Sequence, residues 1–427
     1  MRKIDSHPLF QGELGKSRLL LIYDGILGNA AAILTTGVFL SGYIVYLDGS
    51  DFLTGLVNSS VNWSLIAMLF SFLLFERLKR RKRLLITVNF AARMLLCGSV
   101  FLPLVIDDKK TILPFVTVMV ILASFLSALY GTGFVVWLFG VLPKDGKNDF
   151  IYLRMFWLRI SFTVVTILGG FVVDLFHKGY AGFLLLFSFS LCLSVLDTIL
   201  LIKIKEPEYE VDGHVKPRFS MLLEPLRNER FRSYLVFVFL FFGVLTMSGT
   251  FTSVYLIRYM KFDYTFISAI NVVQYICLIG FTTLWRRVEA KKGVVHVFRI
   301  TATIAVVEFL LYGFLTSKTA WILVPATILA GIGNSGFNIT VMNYRYGIMP
   351  EKNRTVYESC FAGVVGLATL VSPIVGNFIM QRLPVVTNRV FEHSKFQFMY
   401  LLSFILVQLI LFLSFNTPSR RRLIQPE

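Results

Sequence analysis

The chain has 427 residues, 56% of them hydrophobic, with 42 Phe and a mean hydropathy of +0.71. A soluble domain of this length has too little interior to hide so much apolar surface, so the composition excludes a soluble globular protein and predicts a polytopic membrane protein. The net charge of +17 does not indicate a nucleic-acid partner, because the basic residues lie between apolar runs, where membrane topology accounts for them.

Twelve apolar runs are each long enough to cross about 30 Å of hydrocarbon as a helix of roughly 20 residues. They predict an all-α protein with twelve transmembrane helices, named span 1 to span 12 below. The first run is longer than a signal-peptide core and lacks a convincing cleavage site, so it is expected to remain as span 1. The predicted ranges are 19–47, 52–75, 84–106, 112–141, 154–176, 182–204, 233–259, 264–284, 294–316, 321–347, 355–381 and 397–415.

The loop at 76–83 sets the orientation of the chain. Its sequence is ERLKRRKR, in which six of eight residues are Lys or Arg, and such an excess marks the cytoplasmic side of a membrane protein. With both termini on the same side as this loop, the inner segments hold 29 Lys and Arg, counting Arg154 and Lys203 at the inner ends of spans 5 and 6, and the outer segments hold 8. The pattern predicts a multi-pass protein of the plasma membrane whose N- and C-termini are cytoplasmic.

A polar stretch at the midpoint divides the chain into two halves. We predict an N-terminal six-helix bundle at 1–204, a cytoplasmic linker at 205–232 and a C-terminal six-helix bundle at 233–427. Within the linker, 219–226 is either a short amphipathic helix on the inner leaflet or plain solvated chain.

Residues that recur at about half the chain length indicate that the halves are repeats. Gly37, Phe39 and Tyr43 of span 1 are each followed 212 residues later by Gly249, Phe251 and Tyr255 of span 7. The hairpin between spans 8 and 9 is basic, like the loop between spans 2 and 3. Gly133-Phe134 of span 4 likewise corresponds to Gly336-Phe337 of span 10.

The basic loop resembles a signature of the major facilitator superfamily, in which an acid and an Arg precede a basic pair. Glu76, Arg77, Arg80 and Arg81 match that pattern, whereas both signature glycines are absent and Phe72 takes the place of the first. A short cytoplasmic hairpin is also basic for reasons of topology alone. Twelve spans, inner termini, a central linker and the repeat extend the resemblance over the whole chain.

The resemblance implies two pseudo-symmetric six-helix bundles that enclose a cavity lined by spans 1, 4, 7 and 10. It implies a secondary active transporter that moves a small solute by alternating access, coupled to protons, and not an enzyme. We expect a monomer in contact with membrane lipids. A transporter-like sensor and a polytopic membrane enzyme are the alternatives.

No metal site or cofactor is expected. The five His residues lie at or beyond the membrane edges, and the cysteines lack the paired spacing of a zinc site or a redox dithiol. The cysteines are Cys97, Cys192, Cys277 and Cys360.

Charged residues inside spans are costly and therefore need a partner or a function. Arg93 and Asp197 fall at similar depth and are predicted to form a structural ion pair. Asp24 and Arg159 also share a depth, and Asp24 is the candidate for proton coupling because span 1 lines the cavity. A permanent brace between Asp24 and Arg159 is the other interpretation. Glu308 has no evident counter-charge.

Uncharged polar and aromatic residues of the cavity spans are candidates for solute binding, or alternatively for helix packing. These candidates are Asn29, Tyr130, Tyr255, Asn334, Asn338 and, with a positive charge, Arg345.

The start of span 11 suggests an inner gate. Thr355 and Glu358 have the spacing of a capping box. The resemblance implies that the acid of the basic loop meets this helix end when the inner side is closed. The gating residues are therefore predicted to be Glu76, Arg77, Arg80, Arg81, Thr355 and Glu358.

Overall fold

The computed structural model describes residues 8–10, 14–69, 78, 80–143, 146–207, 219–350 and 354–416. Within these ranges the regular structure is entirely helical, and eleven helical segments are long and apolar enough to cross a membrane. They coincide with every predicted span except span 2. The segments are Gly15–Tyr46, Lys82–Leu104, Lys109–Val141, Asp149–Leu175, Tyr180–Lys203, Glu229–Tyr259, Tyr264–Lys292, Val294–Tyr312, Ser317–Ile348, Val356–Arg382 and Ser394–Phe415.

Span 2, predicted at 52–75, is described only as far as residue 69. It consists of the helices Asp51–Asn58 and Ser60–Trp63 and a 3-10 turn, Ser64–Ala67. The chain forms two compact units, Met1–Ser50 with Ala67–Arg218, and Asp51–Ile66 with Phe219–Glu427. Residues 51–66 of span 2 therefore pack within the second unit, where Ile66 meets Gly366 of span 11.

The basic hairpin expected between spans 8 and 9 is instead helical. The helix of span 8 continues to Lys292, eight residues beyond the predicted end, and Gly293 alone makes the turn at φ +81°. Arg, Lys and Glu are good helix formers, and basic residues stabilise a helix C-terminus. Loss of hydrophobicity at 285 therefore did not mark the end of the helix.

Spans 1 and 7 are interrupted at corresponding places. The helix Gly15–Leu34 ends at Thr35 and Thr36, whose hydroxyls bond Ala31 O at 2.9 Å and Ala32 O at 2.7 Å. A second helix, Gly37–Tyr46, then begins at Gly37 with φ +59°. In span 7 the helix Glu229–Gly249 ends likewise, and a π-helical turn, Tyr255–Tyr259, follows.

The two units contain equivalent tyrosine contacts at these interruptions. Tyr43 is fully buried and donates to Ser99 O at 3.0 Å, at the end of span 3. Tyr255 is also fully buried and donates to Leu315 O at 2.8 Å, just after span 9. Each ring packs on aromatic side chains of the last span of its own unit. Two residues related by the 212-residue repeat, Tyr43 and Tyr255, therefore make equivalent contacts in the structure.

In the first unit, span 1 packs on spans 5 and 6, and span 3 packs on spans 4 and 6. The N-terminal end of span 3 and the C-terminal end of span 6 cap each other. Glu206 Oε1 accepts from the backbone N–H groups of Arg81 at 2.5 Å and Lys82 at 2.8 Å. Lys82 Nζ donates to Ile202 O at 2.7 Å and Ile204 O at 2.6 Å. Each charge lies at the helix end that it stabilises.

Glu206→Ala is expected to lower the free energy of unfolding by about 0.5–2 kcal/mol, because it leaves the first N–H groups of span 3 without an acceptor. Glu206→Gln keeps an acceptor oxygen and should cost less. Lys203→Ala is the control, since Lys203 is exposed in the last turn of span 6. Unfolding of the purified variants in detergent measures the difference. Equal stability of Glu206→Ala and the control would contradict the capping role.

In the second unit, span 10 packs on spans 8 and 9 through three glycines. A Cβ at Gly331 would lie 2.7 Å from Cys277 Cβ, and one at Gly333 would lie 2.6 Å from Ala305 Cα. At Gly336 it would lie 2.7 Å from the Trp285 ring. Glycine allows membrane helices to approach to backbone contact. Close contact with spans 8 and 9 therefore accounts for these three glycines of span 10.

Candidate functional site

A buried cluster of charged and polar side chains joins spans 1, 3, 5 and 6 of the first unit. Asp24, 4% exposed, pairs with Arg154 of span 5 at 3.5 Å between Oδ2 and Nη2. Arg154 Nε also donates to Leu21 O at 3.1 Å. Gly25 makes room for this contact, since a Cβ there would lie 3.2 Å from two nitrogens of the guanidinium. The acid of span 1 is thus held by an arginine that the sequence analysis did not select.

Arg159, the predicted partner of Asp24, is not in this cluster, and that pairing is wrong. The residues of span 5 that meet span 1 are Arg154, Leu158, whose carbonyl accepts from Asn29 Nδ2 at 3.1 Å, and Ser161, which donates to Ile26 O at 3.1 Å. These positions are four and seven residues apart and share one helix face. Arg159 lies five residues from Arg154, which places it about 140° around the helix.

Asp24 also lies within hydrogen-bonding reach of Asp197 of span 6. Asp197 is 2% exposed and accepts from Asn89 Nδ2 at 3.4 Å, while its Oδ1 has no donor among the described residues. A carboxylate oxygen only accepts hydrogen bonds, so two carboxyl groups can bond each other only through a proton on one of them. A proton on either carboxyl group would therefore allow the two acids to share a hydrogen bond.

Arg93 does not form the expected ion pair with Asp197. Its Nη2 donates instead to Gly28 O at 2.9 Å, and no carboxylate among the described residues lies within salt-bridge distance of it. Gly28 separates the two side chains, because its Cα faces Asp197, and a Cβ there would lie 3.4 Å from both carboxylate oxygens. Arg93 still acts electrostatically on both acids.

Tyr130 of span 4 completes the cluster. It is close enough to Asp24, Asp197, Arg93 and Arg154 to interact electrostatically with all four. Its ring stacks on Phe134 at 5.2 Å, and the Arg154 guanidinium lies 5.6 Å from the Phe134 ring centre. Of the proposed solute contacts in this unit, Tyr130 thus adjoins the charges, whereas the Asn29 amide braces span 1 to span 5.

Of the four solute-binding candidates in the second unit, two bond other groups of the protein and two have no hydrogen bond among the described residues. Tyr255 is fully buried and bonded to Leu315 O. Arg345 Nε bonds Glu358 Oε1 at 2.9 Å, and its guanidinium lies 3.9 Å from the Phe361 ring centre. Asn334 is half-buried and Asn338 is exposed, one turn apart on span 10. Their amides make no hydrogen bond within the described part of the chain.

The predicted gate is described only in part. Glu76 and Arg77 lie outside the described residues, as does the side chain of Thr355. Arg80 is exposed, whereas Arg81 is 8% exposed and belongs to the Glu206 cap. Glu358 pairs with Arg345 and does not act as the acid of a capping box, because its carboxylate reaches span 10.

Residue depth alone missed Arg154, Asn89 and Gly25. Span 5 was predicted to begin at residue 154, which put Arg154 at the membrane edge, but the helix begins at Lys147. The available signal was the spacing of Arg154, Leu158 and Ser161. Among the described residues no group of three or more His, Cys, Asp or Glu side chains lies together as metal ligands. The chemistry that the cluster offers is proton binding and charge recognition.

Comparison with known proteins identifies the architecture. The model of the MFS_1 like family matches residues 60–385. A mutant form of the nucleoside transporter NupG superposes with a TM-score of 0.71 at 14% identity, covering 96% of this chain and 100% of that one. A D-xylose-proton symporter gives 0.67 at 14%, covering 96% and 99%. The xylose transporter XylE from E. coli, partially occluded and inward open, gives 0.62 at 13%, covering 92% and 97%. No curated protein matches the chain.

Proposed function

Because the chain belongs to the MFS_1-like family of the major facilitator superfamily, whose members are membrane transporters, we propose that it couples the movement of a small solute to a proton. The membrane would be the plasma membrane, with both termini in the cytoplasm, as the distribution of Lys and Arg indicates. Alternating access of two six-helix bundles would carry the solute. The observation that supports proton coupling is the buried contact between Asp24 and Asp197.

The proton would change the forces that hold span 1. With one proton on the pair, Asp24 and Asp197 share a hydrogen bond. Without it, two carboxylates face each other in a low-dielectric interior and repel, while the attraction of each to Arg154 and Arg93 increases. Loading and release of the proton therefore favour different arrangements of spans 1 and 6, which is the differential interaction that a coupled conformational change requires.

Solute contacts are proposed at Tyr130 in the first unit and at Asn334 and Asn338 in the second. These side chains lie on spans 4 and 10, which line the cavity in the family. The amides of the two asparagines make no hydrogen bond within the described residues. The gating roles of Glu76, Arg77 and Thr355 stay a prediction, as does the monomeric state. Glu358 enters the proposal as the anchor of Arg345 and not as a cap.

The proposal predicts proton flux that depends on solute. Protein reconstituted into liposomes that contain a pH indicator would be given gradients of xylose, uridine, lactate or choline. A transported solute should change the internal pH as it enters. Asp197→Asn should abolish the pH change, because the amide leaves only one acid in the cluster, while downhill solute entry persists.

The matched control is Asp149→Asn, which removes an exposed carboxylate from the first turn of span 5 and should leave the pH change intact. Entry of a solute through the wild-type protein without any change of internal pH would refute proton coupling. A pH change that survives in Asp197→Asn would refute the role of the acid pair.

A further inference from the structure

The charges of the cluster do not cancel when the acid pair holds its proton. Among the described residues, the ionisable groups that face the pair are Arg154 from span 5, Arg93 from span 3 and Tyr130 from span 4; Cys97 lies one turn beyond Arg93. With one proton on Asp24 and Asp197, the two acids carry one negative charge and the two guanidinium groups carry two positive charges. The protonated cluster thus has a net charge of +1, inside a membrane span where an uncompensated charge is costly.

Both guanidinium groups retain hydrogen-bond donors that bond no other described residue. Each arginine has five N–H groups, yet within the described residues Arg93 donates to Gly28 O alone, and Arg154 donates to Leu21 O and Asp24. Their remaining nitrogens are not among the enclosed polar atoms that lack a partner. At least one unbonded nitrogen of each guanidinium therefore keeps accessible surface, called its open edge below.

We propose that the transported solute is a small organic monoanion whose carboxylate binds the open edges of Arg93 and Arg154 while the acid pair is protonated. This inference rests on the proposed proton-coupled transport and names its substrate class. A single negative charge neutralises the protonated cluster, and the planar guanidinium matches a carboxylate in geometry. Tyr130 and Phe134, stacked beside the Arg154 guanidinium, offer an aromatic wall to the organic part of the solute.

The binding order follows from the charge. When the proton leaves, the two ionised acids compete with the solute for the same guanidinium groups, and the cluster becomes neutral without it. Proton and anion therefore bind together and are released together, which is symport. The protonated cluster repels a cation, and a neutral solute leaves the positive charge of the cluster uncompensated.

Thermal unfolding of the full-length protein in detergent tests the solute class. Benzoate and lactate would be compared with their methyl esters, which keep the shape and lack the charge, and with choline and chloride. Benzoate or lactate should raise the unfolding temperature more at acidic than at alkaline pH, whereas the esters, choline and chloride should not. Arg93→Gln should weaken the apparent affinity roughly tenfold to hundredfold, the loss of a charge-assisted hydrogen bond, and Arg93→Lys should restore part of it.

Arg93 is the suitable variant because it has no carboxylate in salt-bridge contact, among the described residues, that its removal would strand. Stabilisation by the esters, by choline or by chloride as large as that by the carboxylates would overturn the proposal, as would no stabilisation by any carboxylate at either pH. These results leave proton coupling standing if solute-driven pH changes persist in liposomes. Conversely, carboxylate binding that does not depend on pH, in a protein that moves no protons, would support the anion site and refute the coupling.

Discussion

Arg154→Leu is expected to lower the free energy of unfolding by about 3–5 kcal/mol, because it leaves Asp24 in a buried site without its ion-pair partner. Arg159→Leu should change stability by about 0.5 kcal/mol or less, since no described residue pairs with Arg159. The two substitutions are chemically identical and five residues apart on the same helix. Denaturant unfolding of the purified variants in detergent measures both.

The double variant Asp24→Asn with Arg154→Leu should regain much of the lost stability, because the amide removes the stranded charge and can still donate to Asp197. Asp24→Asn alone should cost less than Arg154→Leu, since Arg154 keeps its bond to Leu21 O. A larger loss for Arg159→Leu than for Arg154→Leu would show that span 5 is rotated relative to the arrangement described here.

Gly333→Ala is expected to destabilise the second unit by at least about 1–3 kcal/mol, the cost of overpacking a close-packed site. The new methyl group would meet Ala305 N and lie 2.6 Å from Ala305 Cα. These are backbone atoms of span 9, so no side-chain rotation relieves the contact, and spans 9 and 10 must move apart.

Gly347→Ala, near the end of the same helix, is the control. A Cβ at Gly347 meets nothing within 4 Å, so alanine should be neutral or should stabilise the helix by up to about 1 kcal/mol through its higher propensity. Thermal unfolding of both variants gives the comparison. If both alanines have the same effect, the contact at Gly333 does not determine helix separation.

Hydrophobic length was sufficient to predict the spans because it measures the thickness that a helix must cross. Eleven of them appear as helices, ten with both ends within five residues of the expected bounds. Length carries no information on where a helix continues beyond the membrane. Span 8 therefore extends to Lys292, and span 4 begins at Lys109, where Asp108 accepts from the N–H groups of Lys110 and Thr111.

The composition of the cluster was partly predicted, but its pairings were not. Depth along the membrane correctly selected Asp24, Arg93 and Asp197 as residues that need partners. Pairing also depends on the rotation of each helix, which side-chain contacts with neighbouring helices determine. Five residues of sequence separate Arg154 from Arg159 and place them on different faces. The prediction paired each acid with a basic residue, Asp24 with Arg159 and Asp197 with Arg93. A contact between the two acids was therefore not predicted.

The interruption of span 1 at Thr35 and Thr36 divides the span into two shorter helices. The helix Gly15–Leu34 carries Asp24 and is hydrogen-bonded to span 5. The helix Gly37–Tyr46 is hydrogen-bonded through Tyr43 to the end of span 3. Gly37 joins the two helices at φ +59°, a conformation that residues with a Cβ rarely adopt, and a Cβ built there would meet nothing within 4 Å. The contact of Asp24 with Arg154 and the contact of Tyr43 with Ser99 O are therefore made by separate helical segments of one span.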